Sequence, residues 1–222
     1  MKKLITSITL FLCIAMLLFQ FPLKSSAYAT LNGRKMIGGV GSSGNNTRYY
    51  WINTSSFNTT WEQRAVTAMY EWCHTGTSCG TYTSIWFART LNQHSSVLDF
   101  QRDDNLGQFV YGKTTLYKTA GESNMITNPY TNYDDWVWAK CTINVYSCNY
   151  GTSSSGQSIA LTKPKKKAIF VHEAGHAFGL DDLLGSSNMN KIMYLGQYDC
   201  TVVSPTNDDC DGVNSLYGGY NP

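Results

Sequence analysis

The chain is poor in histidine, the commonest metal ligand. It has four histidines, His74, His94, His172 and His176, and none follows His176. No glutamate follows Glu173. A ligand set completed downstream of His176 therefore cannot use a third histidine or the glutamate of a later helix. No Cys-x-x-Cys pair occurs, which excludes a metal–cysteine centre of the usual spacing. Internal repeats are absent, which excludes a repeat architecture. An excess of either charge is also missing. Three of the seventeen basic residues lie in the first 29 positions, which carry no acid, leaving 14 basic against 15 acidic residues. No general attraction to nucleic acid follows from that balance.

The N-terminus reads as a leader. Lys2 and Lys3 precede an apolar run from Leu4 to Phe21, broken only by Thr6, Ser7, Thr9 and Gln20, and Ala27-Tyr28-Ala29 then offers small residues for cleavage. The run is near membrane-spanning length. The small-residue site and the lack of a basic cluster after it favour a signal peptide, residues 1–29, over an anchor. Residues 30–222 suffice for one secreted domain with a sizeable core and no stable membrane insertion. Six cysteines remain in it, and an even count in an exported chain reads as disulfides. They fall into three local couples, so sequence proximity predicts bridges 73–79, 141–148 and 200–210.

The pass along the chain gives strand, helix, strands, helix, helix, which predicts one mixed α/β domain. Residues 30–46 are Gly/Ser/Asn-rich and expected to be loosely held at their start. Arg48 to Asn53 is rich in strand formers. Thr59 to about Thr75 has helical periodicity, with a Thr59/Glu62 capping box and a stop at Gly76. Strand-like runs follow at Thr83–Arg89, Ser96–Arg102, Gln108–Tyr117 and Trp136–Tyr146. A second long helix opens near Thr162, with Pro164 in its first turn. A third is expected from about Asn207 to Tyr217.

The second long helix carries the chemistry. From Val171 to Asp182 the chain reads H-E-x-x-H, then reaches a glycine and an acid at the next two three-residue steps. Positions i and i+4 share a helix face, so His172 and His176 can offer two imidazole nitrogens to one Zn²⁺ at about 2.0–2.1 Å. Glu173 lies about 100° further round the helix. It flanks the metal instead of binding it, which suits a base acting on water. Gly179 stands where the helix must stop, and glycine tolerates the left-handed conformation that reverses the chain. The turn can swing Asp182 back as a third ligand, with Asp181 as a rival one position earlier. Asp182 holds the three-residue step.

These residues resemble a known group. H-E-A-G-H-A-F-G-L-D-D is similar to the extended zinc signature of the metzincins, especially the matrixin branch, whose last position is normally His. The Asp found here resembles the snapalysin-like members. Ile192-Met193-Tyr194 resembles the metzincin Met-turn, with Met189 as the alternative. Asp208 to Gly218 resembles the D-D-x-x-G-[IV]-x-x-L-Y-G ending of matrixin catalytic domains. No separate pro-domain with a cysteine-switch motif is visible.

The resemblance implies an α/β (α+β) zincin domain. Its parts would be a twisted, mostly parallel five-stranded sheet, a long zinc-binding helix, a Met-turn and a C-terminal helix. It implies a secreted, monomeric zinc metalloendopeptidase with Glu173 as general base and His172, His176 and Asp182 as zinc ligands. The substrate would be a peptide or protein held extended along an edge strand, with Gln108–Tyr117 the candidate edge and Tyr194–Tyr198 the candidate S1′ wall. A structural Ca²⁺ is common in matrixins, and the loop acids available for it are Asp103, Asp104, Asp134 and Asp135. Two other classes compete. One is a secreted binding or toxin-like module with a degenerate site. The other is a zinc hydrolase acting at cell surfaces without general proteolysis, for which Lys163-Pro164-Lys165-Lys166-Lys167 could favour anionic polymers.

Overall fold

The computed structural model describes residues 28–129, 131 and 134–219. Five strands pair into one sheet: β1 (Arg48–Ile52), β2 (Phe87–Arg89), β3 (Leu98–Arg102), β4 (Gly112–Tyr117) and β5 (Trp138–Ile143). Their order is β2-β1-β3-β5-β4. The first four are parallel, and β4 runs antiparallel to β5 from Gly112↔Ile143 to Tyr117↔Trp138. The mixed α/β class and the mostly parallel five-stranded sheet are as expected. The helices are α1 (Thr59–Cys73), α2 (Thr75–Ser78), α3 (Val145–Tyr150), α4 (Lys163–Ala177) and α5 (Asn207–Tyr217).

Aromatic side chains fix how α4 lies on the sheet. Helices α1 and α4 pack together, and α4 also packs on β4 and β5. Phe170 of α4 meets Phe57, Trp61 and Phe100. Phe178, just past its end, meets Trp72 and Phe87. Two buried indoles also hold the helix backbone: Trp72 Nε1 donates to Val171 O at 2.9 Å, and Trp136 Nε1 donates to Ala177 O at 3.0 Å. Fully burying one such side chain is worth roughly 1.5–3 kcal/mol. Hydrophobic burial on several sides thus secures a helix whose sequence lacks one clean apolar stripe.

Several boundaries differ from the sequence reading. The N-cap of α1 is Asn58, not Thr59; its carboxamide oxygen accepts from Thr60 N and Trp61 N, both at 3.1 Å. The helix ends at Cys73, and the short α2 follows it past Gly76. The run Trp136–Tyr146 divides at Asn144, whose side chain accepts from Ser147 N at 2.8 Å and opens α3. Local side-chain capping there overrides the strand preference of Val145 and Tyr146. The segment after residue 29 is pinned, not loose. Leu31 N donates to Gly179 O at 2.9 Å, Met36 N to the Tyr217 hydroxyl at 2.8 Å, and Leu31, Met36 and Val40 are buried.

The expected local disulfides are not found. All six cysteines of the described chain are free. The sulfur of Cys73 packs on the Phe87 backbone, that of Cys141 on Glu173 O, that of Cys148 on Tyr111 O, and that of Cys200 on Lys191 O. Cys79 and Cys210 face each other instead, 3.4 Å apart. Sequence neighbours such as Cys141 in β5 and Cys148 in α3 sit on different elements, and their sulfurs meet different carbonyls, Glu173 O and Tyr111 O. The expected leader lies outside the described residues except for Tyr28 and Ala29. Among the described residues no helix is long and apolar enough to cross a membrane.

Candidate active site

Helix α4 begins where Pro164 tolerates the missing donor of a first turn, and it ends in a turn that needs glycine. Leu180 N donates back to Gly175 O at 3.0 Å, and Gly179 sits at φ +95°. A Cβ there would also stand 2.7 Å from Leu216 Cδ1 and 2.8 Å from Arg34 O. This reversal returns the chain past the histidines. The side chains of His172, His176 and Asp182 converge, with one ligand atom from each lying within 4.8 Å of the others.

The two imidazoles are held in one tautomer by carbonyls. His172 Nδ1 lies 2.9 Å from Ile192 O, and His176 Nδ1 lies 2.9 Å from Leu180 O. A carbonyl only accepts, so each Nδ1 carries the hydrogen and each Nε2 presents a lone pair. Gln197 Nε2 also donates to Ile192 O at 3.1 Å. Its 2.7 Å approach to His172 Nδ1 is therefore a contact between two donors sharing that carbonyl.

Two lone pairs 3.1 Å apart call for a cation between them. Asp182 Oδ1 stands 3.3 Å from His172 Nε2 and 3.6 Å from His176 Nε2, buried and without a well-formed hydrogen bond. A tetrahedral ion bonded at about 2.0–2.1 Å sets its ligands roughly 3.3 Å apart. The three separations bracket that value, so the donor set fits zinc in both chemistry and spacing. Asp181 Oδ1 instead accepts from Asp182 N at 2.7 Å. The charges of the metal-free protein point the same way. Burial opposes a charge on His172, but Asp182 and Glu173 outweigh it and raise its pKa. Burial raises Asp182, but the two histidines outweigh it and hold its carboxyl below the usual range.

Glu173 is 4 % exposed and points into the same cleft. Two residues of β4 shape its surroundings, and neither was singled out from sequence. Thr114 Oγ1 lies 2.7 Å from Glu173 Oε2, to which it can donate. Gly112 leaves room for the carboxylate: a Cβ on it would stand 2.5 Å from Oε1 and 2.8 Å from Cδ. A glycine inside a strand pattern is itself a signal of close approach by another group.

Met193, not Met189, lies under the helix. It is 2 % exposed, and a Cβ added to Gly175 would overlap its sulfur. Asp209 of α5 fixes this turn, accepting from Ile192 N at 3.2 Å and Met193 N at 3.4 Å. Burial pushes the Asp209 carboxyl up from its ordinary range even so. The cleft above the histidines has a volume of about 340 Å³. Val110, Tyr111, Gly112 and Thr114 line it on the β4 side, with Leu195 and Gln197 lining it as well. Part of the Gln108–Tyr117 run and part of the Tyr194–Tyr198 run therefore border it.

Other candidate residues do not join the site. Asp104 pairs with Arg102, Asp134 pairs with Lys118, Asp103 accepts from Asn105 N, and Asp135 accepts from Lys35 N. Among the described residues these four acids do not gather into a cluster of three or more. The lysine run is largely committed within the fold: Lys165 donates to Tyr198 O, Lys166 to Asn149, and Lys167 pairs with Glu71. It makes a poor platform for an anionic polymer.

Residues 112–200 match the family model Peptidase M66. The match starts at Gly112 and takes in Thr114, the whole of α4, Asp182 and Met193. It supports a peptidase acting on peptides or proteins. It gives no support to the finer placement among matrixin-like or snapalysin-like metzincins. No curated protein matches the chain.

Proposed function

We propose that this chain is a secreted zinc-dependent endopeptidase. The observation that carries the reading is the convergence of two Nε2 lone pairs and a buried carboxylate oxygen beside Glu173. Peptidases of the M66 family are metallopeptidases, which agrees with that donor set. His172, His176 and Asp182 would hold the ion. When bound, zinc supplies a Lewis acid that activates water and polarises a carbonyl.

The remaining work falls to the chain's own side chains. Glu173 takes a proton from the attacking water and returns it to the leaving nitrogen. Thr114 holds one carboxylate oxygen, which leaves Oε1 turned toward the space beside Gly112. The edge strand β4 borders the cleft, so an extended peptide can add alongside it by backbone hydrogen bonds. Leu195 and Gln197 would contact the side chain that follows the cleaved bond. Export rests on the leader, residues 1–29.

Metal analysis of the processed protein, alongside cleavage of a degenerate peptide library, tests the proposal. One zinc per chain and chelator-sensitive internal cleavage are expected. A metal-loaded protein that cleaves no peptide would overturn the peptidase reading.

A further inference from the structure

Cys79 and Cys210 lie 131 residues apart in sequence, yet their sulfurs are 3.4 Å apart. Cys79 is the C-cap of α2, and Cys210 is buried in α5. A second bond ties the same two segments: Asn214, one turn further along α5, donates from Nδ2 to Tyr82 O at 2.9 Å. The approach of the sulfurs therefore belongs to a defined packing of α5 on the residues that follow α2.

We infer that Cys79 and Cys210 form a disulfide bond that fastens α5 to the end of α2. The inference does not depend on the peptidase reading, because neither cysteine borders the cleft. The oxidant it needs is an external disulfide, either a small molecule such as glutathione disulfide or the cystine of a thiol oxidoreductase. Cys79 is half-buried and can be reached, whereas Cys210 is not. The Cys79 thiolate attacks one sulfur of the external disulfide, breaks its S–S bond and releases one thiol. Cys210 then gives up its proton, attacks Cys79 Sγ in the mixed disulfide and releases the second thiol. Two protein thiols become one cystine while one external disulfide becomes two thiols.

Geometry and entropy both favour this pair. The sulfurs need to close from 3.4 Å to about 2.0 Å, a distance within reach of side-chain rotation. Burial, with Cys79 adding to it, pushes the Cys210 thiol far up, which leaves the first attack to Cys79. A bridge spanning 131 residues also restricts the unfolded chain more than any of the short local pairs could. Its consequence reaches the turn that packs under α4. Cys210 follows Asp209, whose carboxylate holds the backbone of Ile192 and Met193.

The full chain would be equilibrated with excess glutathione disulfide, alkylated and digested without reduction. Mass spectrometry should find a peptide pair joined through Cys79 and Cys210 that separates on reduction. Reductant should lower the melting temperature of the wild type by about 5–15 °C. Cys79→Ser and Cys210→Ser should melt like the reduced wild type and ignore reductant. Alkylation of both cysteines after oxidation, or linkage of either to Cys73, Cys141, Cys148 or Cys200, overturns the inference. Those two outcomes are read on the wild type, so a variant that fails to fold does not protect it.

Discussion

The Cβ that Gly112 lacks would stand 2.5 Å from Oε1 of Glu173. The proposed general base therefore occupies space that only glycine leaves on the edge strand. Gly112→Ala should push the carboxylate aside with little effect on metal binding. Displacing a catalytic group by about 1 Å can cost on the order of 10²-fold, and kcat/KM should fall to that extent. Wild-type kcat/KM in a variant with normal zinc content would show that the carboxylate has room elsewhere.

Thr114 Oγ1 lies 2.7 Å from the other oxygen of the same carboxylate and 2.8 Å from Glu173 O, and its one hydrogen can go to either. Thr114→Val keeps the shape and removes the donor. A hydrogen bond to a charged group contributes about 1.5–3 kcal/mol, so kcat should drop roughly 10- to 100-fold. A kcat within about twofold of wild type would reduce Thr114 to a packing residue.

Glu173→Gln preserves size and removes the base. General acid–base catalysis typically contributes about 10²–10⁴-fold, and peptide cleavage should fall by at least that order. Zinc content and thermal stability should stay near wild type. Loss of zinc in this variant would assign Glu173 a structural role in the metal site.

The two adjacent acids should separate cleanly. Asp182 Oδ1 faces both histidines, while Asp181 Oδ1 is occupied by the backbone of Asp182. Asp182→Ala should weaken zinc retention in a competition titration against a chelator, and Asp181→Ala should retain zinc. The reverse result would move the third ligand by one residue.

Asp99 offers a test on stability alone. It is 1 % exposed; burial raises its pKa against the donors Ser96 and Gln93. A carboxyl whose folded value lies above its unfolded value contributes stability at low pH, and that contribution is lost as pH rises through the folded value. Asp99→Asn cannot ionise and keeps an oxygen for Gln93. Its melting temperature relative to wild type should rise as pH increases across the carboxylate range. A constant difference across that range would show that Asp99 does not titrate with a raised value.

Much of the candidate site was legible because it is local. His172, Glu173 and His176 lie on one helical turn, and a glycine three residues on predicts where that turn reverses. Helical periodicity in α1, Pro164 in α4 and the acids Asp208 and Asp209 in the first turn of α5 likewise mark three helices by nearest-neighbour physics. What tertiary structure decided involves residues far apart in the chain. Gly112 and Thr114 meet Glu173 only because β4 ends the sheet beside α4. Met193 lies under Gly175 because Asp209, from a different helix, fixes its backbone. Cys79 meets Cys210, and not Cys73, because α5 packs across the end of α2. Sequence proximity carries no information about such contacts, since a strand or helix sends successive side chains to different faces.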